Sequence, residues 1–221
     1  MLGVRGVRLA LMHEGLYPAQ VEGLFNAWVD VVSAGLTRPE LEVMIPLVSI
    51  PDELVMSLRL IRRVNQEVSS RTGMLIPFKI GTMVETPRAA LLADRLAQWA
   101  EFLSFGTNDL TQLTYGFSRD DVERRMLGTY LEKGLLTASP FAELDDDGVA
   151  ALMEVAVTKA RSVRPDIKLG ICGEHGGDPA SIAICERLDL DYVSASPSRI
   201  PVARLAAAHA RTNVHPAGAH S

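Results

Sequence analysis

Two carboxylates and one thiol stand out by where they fall in the chain. Glu85 follows the apolar run PFKIGTMV, Asp109 ends the turn Gly-Thr-Asn-Asp after EFLSF, and Cys172 ends KLGIC. Each run reads as a short buried strand, so each group sits at a strand's C-terminal end or just past it. The turn of Gly106, Thr107 and Asn108 sets small residues and exposed backbone N–H groups beside one carboxylate, which suits an anion and a divalent cation side by side. Carboxylates from neighbouring strands match Mg2+, which takes one or two of them and completes its octahedron with water and substrate oxygens. The same pair also fits two helix-capping acids, since Glu85 precedes Thr86-Pro87 and Asp109 follows a turn.

Cys172 has two readings as well. A cysteine at a strand end is commonly inert core; yet a thiol with an ordinary pKa of about 8.5 stays protonated at neutral pH and can donate that proton to an enolate beside a metal. His175, in GEHGG, competes for acid–base work or merely shapes its loop, while Cys185 in SIAICERL is core. Arg119, in YGFSRDDVE, can fold back to pair with a carboxylate or phosphate, and a local pair with Asp120 or Asp121 fits as well. Arg5 and Arg8, in LGVRGVRLAL, lie near one side of a helical turn, which by itself reads as a solvated surface pair. No P-loop, G-x-G-x-x-G or G-x-S-x-G occurs, so no nucleotide signature is present.

Positioning these groups requires strands that alternate with helices. Helical periodicity over 18–34 puts Val21, Leu24, Phe25, Trp28, Val31 and Val32 on one face. Residues 41–48, LEVMIPLV, form a continuous apolar run and predict a strand buried on both faces. SIPDE then carries helix-start chemistry, a Ser cap, an early Pro and first-turn acids, for a helix to about residue 69. A strand over 77–84, a helix from Pro87 to residue 100 and the strand EFLSF follow. A long excursion over 115–144 holds one amphipathic helix near 121–133. After it come a helix over 145–163, a strand over 168–172, a helix from Asp178-Pro179 to Leu188, a strand over 191–195 and a helix over 198–210. The pattern, one helix and then βα five times, predicts a parallel α/β sheet with chemistry at the strand ends, the habit of barrels. A (β/α)8 TIM barrel takes about 250 residues, so the reading is that only about the last five β/α units are present.

Size and charge narrow the classes. The 221 residues, 48% hydrophobic and 22% charged, suffice for one core or a large part of one. A net charge of −5 argues against a general nucleic-acid binder. No apolar run approaches about 18 residues, so no membrane span is expected, and the first residues lack a secretory signature. Two cysteines without C-x-x-C point to a reducing cytoplasm.

Three stretches together are specific. IGTMVETPRAAL, FLSFGTNDLTQLTYGFSRDD, and GICGEHGGDPASIA with LDYVSASPSRIPVARLAAA resemble the C-terminal phosphoenolpyruvate/pyruvate-binding barrel of the pyruvate, phosphate dikinase family. The resemblance runs from MLGVRGVRL to the last helix, over residues 1–211, leaving 212–221 as a flexible tail. Phosphoenolpyruvate synthase and the phosphoenolpyruvate-dependent phosphotransferase of sugar uptake share the GTNDLTQ-type loop but differ at SRDD and GEHGG. The resemblance implies Mg2+ held by Glu85 and Asp109. It implies substrate oxygens bound by Gly106, Thr107 and Asn108, partly through backbone, and an anion site lined by Arg5 and Arg119. Cys172 would protonate the pyruvate enolate, whose oxygen exchanges a phosphoryl group with a phosphohistidine. That histidine's swivelling domain and an ATP-grasp domain are further implied partners, absent from these residues, as is a homodimer formed through the barrel. Alone, the 221 residues are expected to lack dikinase turnover and to be marginally stable unless another chain completes the barrel.

Overall fold

Short runs of apolar and small residues, each followed by a helix, pair here into one parallel sheet whose strands lie side by side in chain order. The computed structural model describes residues 2–214. Two helices, α1 (Val7–Met12) and α2 (Leu16–Ser33), precede β1 (Glu42–Ile45) and α3 (Pro51–Thr72). Then come β2 (Lys79–Val84), α4 (Pro87–Leu91), α5 (Ala93–Ala97), β3 (Phe102–Gly106) and α6 (Thr107–Tyr115). The excursion carries α7 (Arg119–Arg125) and α8 (Leu127–Glu132), and α9 (Ala151–Val163) leads into β4 (Lys168–Cys172). The chain closes with α10 (Pro179–Arg187), β5 (Tyr192–Val193) and α11 (Ile200–Val214).

The strand register separates two faces. Ile45, Thr82, Leu103 and Leu169 share one level, with Val84, Phe105 and Ile171 on the next level of the same face. All seven are buried and form the floor on which the helices pack; burying each large aliphatic or aromatic side chain among them contributes about 1.5–3 kcal/mol. The opposite face carries Met83, Ser104 and Gly170, flanked by Tyr192 on β5. This second face is concave. Glu42 on β1 and Lys168 on β4 form an ion pair at 3.0 Å, although strands three apart in a flat sheet would stand roughly 14 Å apart. The sheet therefore curls as a barrel wall does. Lys168 also lies 5.0 Å from the centre of the Tyr192 ring.

Several sequence expectations are corrected. The strand expected over 41–48 shrinks to four residues and is not buried on both faces: Met44 is 38% exposed because β1 lies at an edge of the described sheet. Ser49 does not cap α3. The cap is Ile50, and the Glu53 carboxylate accepts from the N–H groups of both Ser49 and Ile50. The helix expected over 87–100 breaks at Leu92, and that over 121–133 breaks at Met126, where each residue leaves helical backbone angles. The helix from 145 opens with a π-turn at Asp146–Ala150, where the Ala150 N–H donates to the Asp145 carbonyl oxygen at 2.9 Å, while the Asp145 carboxylate caps the N–H groups of Gly148 and Val149. The last strand keeps two residues, and a 3-10 turn at Pro197–Arg199 precedes α11. Helix α11 reaches Val214, so 212–214 are helical; the remainder of the expected tail lies outside the described residues. Among the described residues, no helix is long and apolar enough to cross a membrane.

Candidate active site

The register that builds the sheet also brings Glu85 and Cys172 together, with Asp109 added from the first turn of α6. Gly106 is paired with Cys172, and Val84 with Phe105, so Glu85 stands next to Gly106 one residue beyond β2. Side chains alternate along a strand. Glu85, Gly106 and Cys172 therefore form one cross-strand row on the concave face, at the C-terminal rim. Gly106 is the gap in that row. A Cβ there would lie 2.7 Å from Glu85 Oε2 and 2.9 Å from Met83 Cε, so only hydrogen leaves room for the carboxylate.

Glu85 is 4% exposed and does not cap the helix that follows it; Thr86 does, its Oγ1 accepting from the Ala89 N–H at 3.1 Å. Leu47 adopts left-handed backbone, φ 62, which is costly for a residue with a Cβ. From there its N–H donates to Glu85 Oε1 at 2.6 Å. Burial pushes the Glu85 carboxyl up to about 7; the Leu47 N–H opposes this, Asp109 adds to it by charge and by hydrogen bond, and Arg5 opposes it weakly. Asp109 lies in the first turn of α6, where the helix dipole favours an acid. Its carboxylate meets Arg5 Nη1 at 3.0 Å, and the Arg5 side chain is 48% exposed. The two carboxylates face each other across the rim, with the half-exposed Arg5 guanidinium paired to Asp109.

This donor set fits Mg2+. Two hard oxygens converge, one belonging to a carboxyl raised chiefly by burial and further by its neighbour's charge, and a divalent cation between them would relieve both the burial of charge and the repulsion. Among the described residues, no group of three or more His, Cys, Asp and Glu forms a closed metal centre, so substrate and water oxygens would fill the remaining positions.

The thiol of Cys172 lies 3.5 Å from the Phe105 carbonyl oxygen. Burial raises its pKa, the Ser104 hydroxyl offsets part of that, and the Glu85 charge raises it again, so sulfur keeps its proton at neutral pH. Gly173 follows with φ 110, a backbone that side chains disfavour, and a Cβ there would meet Asn108 Oδ1 at 3.1 Å and Thr107 Oγ1 at 3.2 Å. Asn108 Oδ1 is buried without a hydrogen-bond partner among the described residues. His175 is fully buried behind this contact, with Nδ1 2.7 Å from Thr107 Oγ1 and Nε2 3.0 Å from the Pro140 carbonyl oxygen.

Arg119 departs from the local pairing considered for it. It grips Glu174 with two hydrogen bonds, at 3.1 and 2.8 Å, and bonds Glu123 at 3.1 Å. Asp120 and Asp121 lie on other faces of α7, whereas Glu123, four residues on, shares the face of Arg119. Glu174 holds Arg119 near the thiol loop, two residues past Cys172. Arg5 likewise pairs with Asp109 at the rim rather than standing beside Arg8 as a solvated pair; the Arg8 guanidinium instead bonds the carbonyls of Leu2 and Gly3. Sequence reasoning overlooked Ser104, Leu47 and Glu174. Ser104 had a signal, since Ser104 and Gly106 are alternate small residues on one strand face. The Leu47 N–H had none, because a backbone donor carries no residue code.

Three comparisons bear on this geometry. The family model described as PEP-utilising enzyme, PEP-binding domain, matches residues 1–212. The chloroplastic pyruvate, phosphate dikinase of Mesembryanthemum crystallinum is 51% identical over 208 residues, which is 94% of this chain and 22% of that protein. The chloroplastic pyruvate, phosphate dikinase 1 of Arabidopsis thaliana is 50% identical over 94% of this chain and 21% of its own length. The chain thus spans about a fifth of the length of these relatives. Among solved structures, a citrate lyase from Burkholderia xenovorans superposes with a TM-score of 0.51 at 18% identity, covering 81% of this chain and 52% of that one, which speaks to the fold alone.

Proposed function

This chain belongs to the PEP-utilising enzyme family, as its PEP-binding domain, and on that premise we propose that the rim site binds phosphoenolpyruvate and pyruvate and moves a proton between the Cys172 thiol and the methyl carbon of the pyruvate enolate. In this reading Cys172 is the catalytic acid. As a phosphoryl group leaves the enol oxygen for a histidine on another domain, the Cys172 S–H bond breaks, its proton forms a C–H bond with the enolate carbon, and the electron pair stays on sulfur. The reverse direction returns that proton to the thiolate. A thiol whose pKa burial has raised is a poor spontaneous source of thiolate but a ready acid toward a carbanion.

The backbone N–H groups at the start of α6, around Thr107 and Asn108, face the rim and suit the substrate carboxylate. Arg5, half-exposed at its pairing with Asp109, would present its guanidinium to the same anion. Arg119 would line the loop side. Glu85 and Asp109 would hold Mg2+, which when bound supplies positive charge to offset the enolate oxygen. The phosphohistidine and ATP-grasp domains, a second copy of the chain joined through the barrel, and the full reaction of ATP, phosphate and pyruvate belong to the same reading. A reducing compartment such as the cytoplasm fits two free thiols, and the plant relatives are named as chloroplastic.

The observation that carries the reading is the single row Glu85–Gly106–Cys172, which sets a protonated thiol beside paired carboxylates at one rim. Its test is Mg2+-dependent exchange of pyruvate methyl protons with deuterated water. Cys172→Ala is expected to slow exchange by roughly a hundredfold or more while pyruvate still binds. Exchange at the wild-type rate in that variant would remove Cys172 from the chemistry.

A further inference from the structure

His175 is the most deeply buried titratable side chain near the rim, and the proton transfer just described makes no use of it. Its surroundings fix its protonation pattern. The Pro140 carbonyl oxygen can only accept, so Nε2, 3.0 Å away, must carry a hydrogen. Burial favours the neutral ring: it lowers the pKa below the ordinary histidine value, Arg119 lowers it further, and the Pro140 carbonyl, Asp178 and Glu174 oppose in part. A neutral ring with its hydrogen on Nε2 presents a bare Nδ1 to Thr107 Oγ1 at 2.7 Å. The Thr107 hydroxyl has one proton and two acceptors in reach, the second being the Cys172 carbonyl oxygen at 3.3 Å. The shorter contact takes the proton.

The consequence is mechanical. Thr107 sits at the end of β3 and the start of α6, Cys172 ends β4, and Pro140 belongs to the long excursion before α9. The Thr107 hydroxyl lies in the bend of the Cys172–His175 turn, with the Cys172 carbonyl on one side and the His175 ring on the other. Gly173, between them, has φ 110, which disfavours a side chain, and packs tightly against Thr107 and Asn108, where a Cβ would lie 3.1–3.4 Å from their side-chain atoms. We propose that His175, as its neutral Nε2–H form, is a positioning residue that accepts the Thr107 hydroxyl proton on Nδ1, clamps the Cys172–His175 turn onto the end of β3, and so holds the Cys172 sulfur at the rim. This rests on the reading of Cys172 as the catalytic acid, which it deepens. It also assigns Thr107 to substrate through its backbone N–H alone, since its hydroxyl is committed and buried.

The two edges of the ring can be tested apart. Asn at 175 reproduces the acceptor at Nδ1 and loses the bond to Pro140; Gln reproduces the donor at Nε2 and loses the bond to Thr107. A role in filling space alone would treat the two alike. Alkylation of Cys172 by iodoacetamide, followed by peptide mapping, is expected to speed up roughly fivefold or more in His175→Gln and in Thr107→Val, and to stay within about twofold of wild type in His175→Asn. In the unsubstituted chain, nitrogen-15 resonances of the imidazole are expected to show a protonated Nε2 and a bare Nδ1 at neutral pH, a measurement that needs no variant to fold. A ring protonated at Nδ1, or equal alkylation rates in all three variants and wild type, overturns the clamp. If instead Cys172→Ala exchanges pyruvate protons normally, the catalytic assignment fails while the tautomer and alkylation still judge the clamp separately.

Discussion

Glu85 shows how one side chain can carry opposing demands. Its carboxyl is buried, opposed by a neighbouring acid and stabilised by one backbone N–H, and the balance leaves it titrating at about 7. For an acid raised in the folded state, the folded chain binds the proton more tightly than the unfolded chain, so stability is full below the ordinary value of 4.5 and is lost as pH rises through about 7. Urea unfolding in Mg2+-free buffer is therefore expected to show stability falling between those two pH values, and Glu85→Gln is expected to flatten the fall. A Glu85→Gln profile with the same slope would place the titration elsewhere. In the proposed reading this burden serves the site, since a carboxylate that costs free energy to ionise alone gains most from a cation.

At the scale of elements, the site depends on what strands leave out as much as on what they carry. Gly106 is an empty position between Glu85 and Cys172, and the added methyl of Gly106→Ala would fall within 2.8 Å of the Glu85 Cβ. Overpacking of this kind costs about 1–3 kcal/mol. The expected outcome is a lower urea midpoint together with weakened Mg2+ binding, because Glu85 has to move; an alanine variant with both unchanged would show that the row is not tight. The loops follow a similar logic. Arg119 and Glu174 join α7 to the turn after β4, with the Arg119 guanidinium 5.7 Å over the Phe141 ring. The excursion between α6 and α9 is thereby tied to the rim twice, once through Arg119 and once through the His175–Pro140 bond.

For the whole molecule, the question is what curls the sheet. The Glu42–Lys168 pair spans β1 to β4, but both side chains are substantially solvated, at 32% and 44% exposure, and exposed pairs contribute only about 0–1 kcal/mol. Packing offers more. Gly170 admits the Tyr192 ring across the concave face, where a Cβ would meet ring atoms at 2.2–2.4 Å, while Val84, Phe105 and Ile171 press outward against the helices. A double-mutant cycle on Glu42→Ala and Lys168→Ala is expected to return a coupling below about 1 kcal/mol, read from thermal or urea unfolding. A much larger coupling would make the ion pair, not the packing, the strap that holds the curve.

Local pattern alone determined the alternation of strand and helix, the placement of Glu85, Asp109 and Cys172 at strand ends, and the family resemblance carried by GTNDLTQ and GICGEHGG. Those are short-range properties: periodicity of two or 3.6, turn chemistry and contiguous motifs are written in neighbouring residues. Tertiary structure decided which face each group took and who its partner was. Arg119 meets Glu174 rather than Asp120, Glu85 meets the Leu47 N–H, and the Arg5 guanidinium crosses to Asp109, each across many residues of intervening chain. Local pattern also overestimated β1 and the helices around Leu92 and Met126, because edge exposure and helix breaks follow from what packs nearby. Long-range pairing depends on register and curvature, and these are set by all the strands packing together rather than by any one stretch of them.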